Sequence, residues 1–164
     1  NVGDGEVYGV EIDLSTPLTS LGLPHTGVFA NYAWLDSNIE DFAGERRFND
    51  QARFVYNVGF IHDLPDSGWS FGASYRKQGD AFSRLLAEEV RTEYGADLEA
   101  FIEKRFGTQF SVRLTGSNLL DASKDEFFNK FDTEADQLDR DFDEFEIETE
   151  TAGPVYQLIA RYAF

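Results

Sequence analysis

Apolar and polar residues alternate along seven stretches of the chain. In the last stretch, one parity holds five apolar side chains: Tyr156, Leu158, Ala160, Tyr162 and Phe164. The other parity includes Gln157 and Arg161. A period of two predicts a β-strand with one apolar face and one mixed face. The same criterion predicts strands at residues 6–15, 27–36, 51–62, 68–77, 96–106, 108–117 and 153–164.

Residues 85–106 fit two patterns. Leu86, Val90, Tyr94 and Leu98 recur at helical spacing among strong helix formers. The second half of the segment also alternates, and Gly95 interrupts the helical stretch. We expect a strand at about 96–106, and a helix over part of 85–106 stays open.

The connections between the predicted strands alternate in length. The stretch HDLPDSG and the turn around Gly107 are tight, whereas residues 36–52, 77–95 and 118–152 are long and polar. Short turns at one end and long loops at the other are typical of an outer-membrane β-barrel. The sequence therefore predicts an all-β fold, an antiparallel transmembrane β-barrel.

In such a barrel the polar parity of each strand faces the lumen. The lumen-facing candidates are Asn31, Arg53, Asn57, Arg76, Arg113 and Arg161.

The composition limits the possible partners. The 164 residues carry a net charge of -17, which repels a phosphate backbone and argues against a nucleic-acid partner. Aromatic residues make up 15% of the chain, too many for a disordered acidic polypeptide. Cysteine is absent, so no disulfide framework exists.

Three short motifs resemble the C-terminal part of TonB-dependent outer-membrane receptors. They are Tyr8-Gly9-Val10-Glu11 in the first strand, Asn118-Leu119-Leu120-Asp121 after the sixth, and the terminal Phe164. The resemblance implies a barrel of the twenty-two-strand type. Residues 1–164 would supply its last seven strands, with the plug domain and the TonB box absent.

The resemblance also implies a function and a set of partners. The expected activity is TonB-dependent, energy-coupled uptake of a small nutrient such as siderophore-bound iron, a cobalamin or an oligosaccharide. The expected location is the outer membrane of a Gram-negative bacterium, in contact with membrane lipid and lipopolysaccharide. TonB would act through the missing N-terminal part, and no cofactor is expected.

The final strand resembles the assembly signal that the barrel-assembly machinery recognises. Its members would be Tyr156, Leu158, Ala160, Tyr162 and Phe164. An extended strand with an apolar face and an unpaired edge is suited to such pairing.

Two other classes of protein fit parts of the pattern. A passive or structural outer-membrane barrel would show the same strands, and so would a soluble carbohydrate-binding β-sandwich. An enzyme is not expected, because His25 and His62 are the only histidines and neither accompanies a nucleophile motif.

An acidic stretch near the C-terminus suggests a weak calcium candidate. Asp139, Asp141, Asp143 and Glu150 match positions 1, 3, 5 and 12 of an EF-hand loop. Glu144 stands at position 6, where that loop prefers glycine. A solvated loop is the simpler interpretation, and no metal is expected.

Overall fold

The computed structural model describes residues 4–164, and nearly all of its regular structure is β-strand. Its helical elements are a 3-10 turn (Thr19–Leu21) and one short helix, α1 (Glu134–Asp139). The strands are β1 (Gly5–Leu18), β2 (Leu23–Asp41), β3 (Gly44–Arg46), β4 (Phe54–Leu64), β5 (Trp69–Gln78), β6 (Ala81–Leu85), β7 (Glu88–Tyr94), β8 (Asp97–Phe106), β9 (Phe110–Ser117), β10 (Ser123–Lys130), β11 (Glu144–Thr151) and β12 (Val155–Tyr162).

Seven strands form one large antiparallel sheet in the order β1-β2-β4-β5-β8-β9-β12, and β3 pairs with β2 beside it. Each of these seven strands overlaps one of the seven segments in which apolar and polar residues alternate. The all-β antiparallel prediction is confirmed. Among residues 4–164, β1 and β12 each pair with a single neighbour, so the sheet is open rather than closed into a barrel.

A second antiparallel sheet, the distal sheet, has the order β11-β10-β7-β6. Its members continue the last strands of the large sheet in the same order, because short breaks separate β5 from β6, β7 from β8, β9 from β10 and β11 from β12. Two hairpins result, β6–β7 and β10–β11. The end of the large sheet that carries its tight turns is named the short-turn end. Both hairpins project from the opposite end, which we name the distal end.

The distal sheet corrects two expectations. Residues 77–95 and 118–152 are not simple loops, since they contain four strands and α1. The helical alternative for 85–106 is also wrong. Strand β7 hydrogen-bonds to β6 on one side and β10 on the other, and this two-sided pairing overrides the helix propensity of its glutamates.

The large sheet has one apolar and one polar face, and its pairing register keeps them continuous. Ile102 pairs with Phe71 and with Leu114, which in turn pairs with Leu158, so one apolar row crosses four strands. The extensive strand contacts within residues 4–164 are all between neighbours in one sheet. A sandwich needs a second sheet packed on this apolar face, and the described residues supply none.

Among the described residues, buried apolar side chains are few and lie in or beside the distal sheet: Ala81, Val90 and Phe131. The large sheet therefore has no hydrophobic core of its own within residues 4–164. No helix in this part of the chain is long and apolar enough to cross a membrane.

Candidate functional site on the polar face and the distal sheet

A row of polar side chains crosses five strands on the polar face. The register places Asp13, Asn31, Asn57, Arg76 and Asp97 as successive cross-strand partners. The Asn31 amide donates to the Asp13 carboxylate, and the Asn57 amide lies 3.5 Å from the Asn31 amide oxygen. Cross-strand pairs of this kind stabilise a sheet and fix its register.

A charged cluster lies on the same face nearer to the short-turn end. Glu103 accepts hydrogen bonds from Arg113 Nε at 2.9 Å and from Arg105 Nε at 3.1 Å. Arg105 also lies 3.7 Å from Asp63, and the Arg113 guanidinium stacks 4.2 Å from the centre of the Phe101 ring. The Glu103 side chain is nearly buried, so its charge depends on the two arginines.

Glycines leave room for aromatic rings on this face. A side chain at Gly72 would place its Cβ 2.5 Å from the Phe60 carbonyl oxygen and 2.8 Å from the Phe101 ring. The ring of Phe29 occupies the corresponding space over Gly59. Phe29 and Phe101 are thus apolar residues on the polar face, each covering backbone that glycine exposes.

The structure brings together some of the lumen-facing candidates. Asn31, Asn57 and Arg76 share the polar row, and Arg113 belongs to the charged cluster. Arg161 lies on the same face opposite Ser111, and Arg53 is exposed just before β4 begins. Their lining of a lumen stays a prediction.

Sequence reasoning missed Glu103, which neutralises and orients Arg113, and Arg105, which binds the other oxygen of the same carboxylate. Glu103 has the polar parity of its strand, and that parity was the available signal.

A cleft of about 470 Å³ opens where the large sheet meets the distal sheet. Arg76, Lys77 and Asp97 contribute from the large sheet, and Lys124 and Glu150 from the distal sheet. The Lys124 ammonium donates to Glu126 at 2.8 Å, which raises the pKa of Lys124 and keeps it cationic. The cleft therefore presents both signs of charge beside the polar row.

Ion pairs between arginines and carboxylates connect the distal sheet to the end of β2, to β3 and to the residue after α1. Arg84 Nη1 lies 3.1 Å from Asp41, and Arg84 Nε lies 3.0 Å from Glu89. Arg140 reaches the other oxygen of Glu89 at 2.5 Å, and Arg46 pairs with Asp41. We name this network the distal clamp. Its two carboxylates are nearly buried, since the Asp41 and Glu89 side chains are only 2% and 4% exposed.

The environment of Asp41 alters its ionisation. Burial opposes its charged form, but hydrogen bonds from Arg46 and the Ala43 backbone and the charge of Arg84 outweigh burial. The pKa of Asp41 is therefore lower than its ordinary value of 3.8.

Gln137 connects α1 to the β6–β7 turn and is 2% exposed. Its side-chain oxygen accepts from Ala87 N at 2.9 Å, and its nitrogen donates to the Leu85 carbonyl at 3.1 Å. The turn needs this support because Ala87 adopts a φ of 61°, a conformation that L residues rarely adopt. Asn49 adds backbone contacts to Arg84 from the connection between β3 and β4.

The acidic residues of the calcium candidate are not brought together. Asp139 ends α1, whereas Glu150 lies far along β11, 3.8 Å from Lys124. Among residues 4–164, no three His, Cys, Asp or Glu side chains are grouped so that they could hold a metal ion. Strand pairing of β11 with β10 prevents the loop that an EF-hand requires.

The residues of the predicted assembly signal mostly lie in β12. Tyr156, Leu158, Ala160 and Tyr162 share the apolar face, whereas Phe164 follows the end of the strand with its ring 5.6 Å from that of Tyr162. Strand β12 (Val155–Tyr162) is shorter at both ends than the predicted 153–164, and the last backbone contact beyond it runs from Ala163 N to the Gln109 carbonyl.

Comparison of the chain with known protein families finds a match. The family described as "TonB dependent receptor-like, beta-barrel" matches residues 1–119, well over half of the chain. The chain belongs to this receptor family. No curated protein and no solved structure matches it.

Membership in the TonB-dependent receptor barrels indicates an outer-membrane protein of Gram-negative bacteria that takes part in transport. The recognition made from the three sequence motifs is confirmed. Receptor barrels of this family are generally not enzymes, and their partners in general are the membrane, TonB and a ligand.

Proposed function

We propose that residues 4–164 form adjacent wall strands of a larger barrel of the twenty-two-strand type. The barrel takes up a small nutrient by TonB-dependent, energy-coupled transport. The apolar face contacts membrane lipid, and the polar face lines the lumen and contacts the plug or the nutrient. A siderophore-iron complex, a cobalamin or an oligosaccharide fits such a lumen.

The observation that carries this proposal is the uncovered apolar face. Its large side chains remain exposed, with Ile12 at 59%, Leu114 at 46% and Leu158 at 74%. Monomeric proteins in water rarely expose contiguous apolar patches larger than a few hundred Å². The face extends across all seven strands of the sheet, so a lipid surface is its most economical cover.

Strand length supports the same proposal. Strands β4, β5 and β8 contain 11, 10 and 10 residues. A strand tilted across a bilayer needs ~9 to 11 residues. These three strands match the bilayer, while β1 and β2 are longer, at 14 and 19 residues, and β9 and β12 contain 8 residues each. The distal sheet extends beyond the outer side of the bilayer.

A passive barrel would share these strands, and the family match favours the receptor. Under this proposal β12 pairs with a further strand of the barrel and is recognised during assembly through its apolar residues. Lipopolysaccharide contacts the outer part of the apolar face.

The face assignment can be tested with two adjacent positions. Ala73 lies on the apolar face opposite Ala100, and Ser74 lies on the polar face opposite Glu99. In a cysteine-free background of the full-length receptor, Ala73→Cys and Ser74→Cys carry a spin label in turn. The label at 73 should be relaxed mainly by oxygen, which concentrates in lipid, and the label at 74 by a water-soluble nickel complex. Equal accessibility to both relaxants at position 73 would refute the proposed barrel wall.

Energy coupling needs a separate measurement. Cells that express the full-length receptor should take up one of the three nutrient classes when TonB is present, and uptake should be lost when TonB is deleted. Uptake that continues at the same rate without TonB would instead support the passive barrel.

A further inference from the structure

One basic side chain lies alone on the apolar face near the short-turn end. Lys104 pairs with Trp69 on one side and Val112 on the other, and both neighbours belong to the apolar face. Within the described strands, the remaining Lys, Arg, Asp and Glu residues of this face, Lys77 among them, lie toward the distal end. The position of Lys104 is therefore unusual for its surroundings.

The ammonium group of Lys104 has aromatic neighbours but no carboxylate partner. It lies 5.1 Å from the centre of the Trp69 ring and 5.8 Å from that of Phe106. It donates to the Ser67 carbonyl in the β4–β5 turn. None of the ion pairs within residues 4–164 includes Lys104. An ammonium has three donors, so donors remain for a further acceptor.

An apolar groove begins beside this ammonium. It has a volume of about 380 Å³ and, besides Lys104, apolar walls: Trp69, Ile102, Phe106, Val112, Leu114 and Leu158. Lys104 is the one polar residue among the described residues that line this groove. A ligand complementary to the groove thus needs a hydrocarbon part and, at one end, an anionic group.

We propose that this groove binds a phospholipid with an anionic headgroup, such as phosphatidylglycerol, from the leaflet at the short-turn end. The phosphate accepts from Lys104, and one acyl chain lies along Ile102, Leu114 and Leu158. The inference rests on the proposed function, because the groove meets lipid only if the apolar face does.

Selectivity of this site for anionic over neutral lipids comes from the Lys104 ammonium, because the rest of the chain is acidic. A net charge of -17 provides no general attraction for anionic lipids, so binding depends on the local cation. A basic side chain near the membrane surface favours an anionic lipid by ~1 kcal/mol, which corresponds to a roughly fivefold preference. Lysine side chains reach the headgroup level from positions of this kind while their stems stay in the apolar layer.

Trp69 provides a probe inside the proposed site. The full-length receptor is reconstituted in phosphatidylcholine vesicles that contain either brominated phosphatidylglycerol or, at the same mole fraction, brominated phosphatidylcholine. The Trp69 signal is the difference in fluorescence between the receptor and its Trp69→Phe variant. Brominated phosphatidylglycerol should give half-maximal quenching of this signal at a roughly fivefold lower mole fraction.

Matched variants isolate the ammonium. Lys104→Gln should abolish the preference, Lys104→Arg should retain it, and Lys77→Gln on the same face should leave it unchanged. Heat-modifiable migration on a gel verifies that each variant is folded.

Equal quenching by the two brominated lipids, or a preference that survives Lys104→Gln, would overturn the headgroup site alone. The absence of quenching by either lipid would overturn both this site and the lipid-facing assignment. Loss of the preference on addition of inorganic phosphate would show a site for free anion and overturn the lipid as its occupant.

Discussion

Replacing Glu89 by glutamine removes the charge at the centre of the distal clamp while it keeps the shape of the side chain. Glu89 holds Arg84 at 3.0 Å and Arg140 at 2.5 Å, and its side chain is only 4% exposed. Arg84 is itself largely buried, so the substitution leaves a buried guanidinium with one carboxylate, Asp41. We expect the β6–β7 hairpin and α1 to open more often.

The magnitude follows from the burial of the partners. Breaking a fully buried pair costs ~3 to 5 kcal/mol. Arg140 is about half exposed and water replaces part of its pairing, while Asp41 still compensates Arg84. We therefore expect a loss of ~2 to 3 kcal/mol in the free energy of local opening, or roughly 30- to 150-fold faster amide exchange.

Hydrogen exchange measured by mass spectrometry on the full-length receptor tests this value in peptides from 81–94 and 131–143. Glu93→Gln is the matched control, since Glu93 pairs with Arg91 on the same strand where both side chains are exposed. An exposed pair contributes less than ~1 kcal/mol, so the control should change exchange by less than about fivefold. If the two variants change exchange equally, the reasoning from burial is refuted.

Three further predictions concern other contacts. Asp41→Asn should speed amide exchange in residues 42–53 above pH 3.8. The pKa of Asp41 is lower in the folded protein than its ordinary value of 3.8, so its contribution to stability is complete above pH 3.8. That contribution is lost as the pH falls through the pKa of the folded state. Exchange rates are divided by those of an unstructured peptide at each pH. The rates of the unmodified receptor and of Asp41→Asn should then converge in acid, and a difference that stays constant with pH would contradict this. Gly72→Val should reduce the amount of heat-modifiable receptor, at a cost of at least ~1 to 3 kcal/mol, because Cβ would clash with the Phe60 carbonyl and the Phe101 ring. Gly27→Val is its control, since a Cβ there meets nothing within 4 Å, and equal losses would show that the clash is not the cause. Gln137→Ala should remove the side-chain partner of the Ala87 N–H and of the Leu85 carbonyl at this partly buried turn, costing ~0.5 to 1.5 kcal/mol per hydrogen bond, and should raise amide exchange at Ala87. The exposed Gln157→Ala should leave exchange at Ala87 unchanged, and protection at Ala87 that survives Gln137→Ala would disprove the role of this amide.

The large sheet could be predicted because its signal is local. Alternation places Phe71 and Ser70 on opposite faces of β5 whatever the partner strand is. The tight turns are equally local, since Gly68 and Gly107 adopt positive φ values of 69° and 66° that favour glycine. The polar face could thus be identified residue by residue, including Asn31, Asn57 and Arg113.

The distal sheet could not be predicted in the same way. Strand β11 reads EFEIETET, with acidic residues that suit a solvated loop, and β7 is rich in glutamate, which favours helices. These segments become strands because β10 pairs with both of them and satisfies their backbone groups.

The amino-acid sequence by itself determined the strand positions of the large sheet, its two faces and the family, because alternation and short motifs need no distant contact. Only the tertiary structure decided the distal clamp, the pairing of Glu103 with Arg105 and Arg113, and the isolation of Lys104. Asp41 and Arg84 are 43 residues apart, and Glu89 and Arg140 are 51 apart. A charge pair over such separations depends on which strands become neighbours, and strand order is a property of the folded sheet rather than of any local pattern.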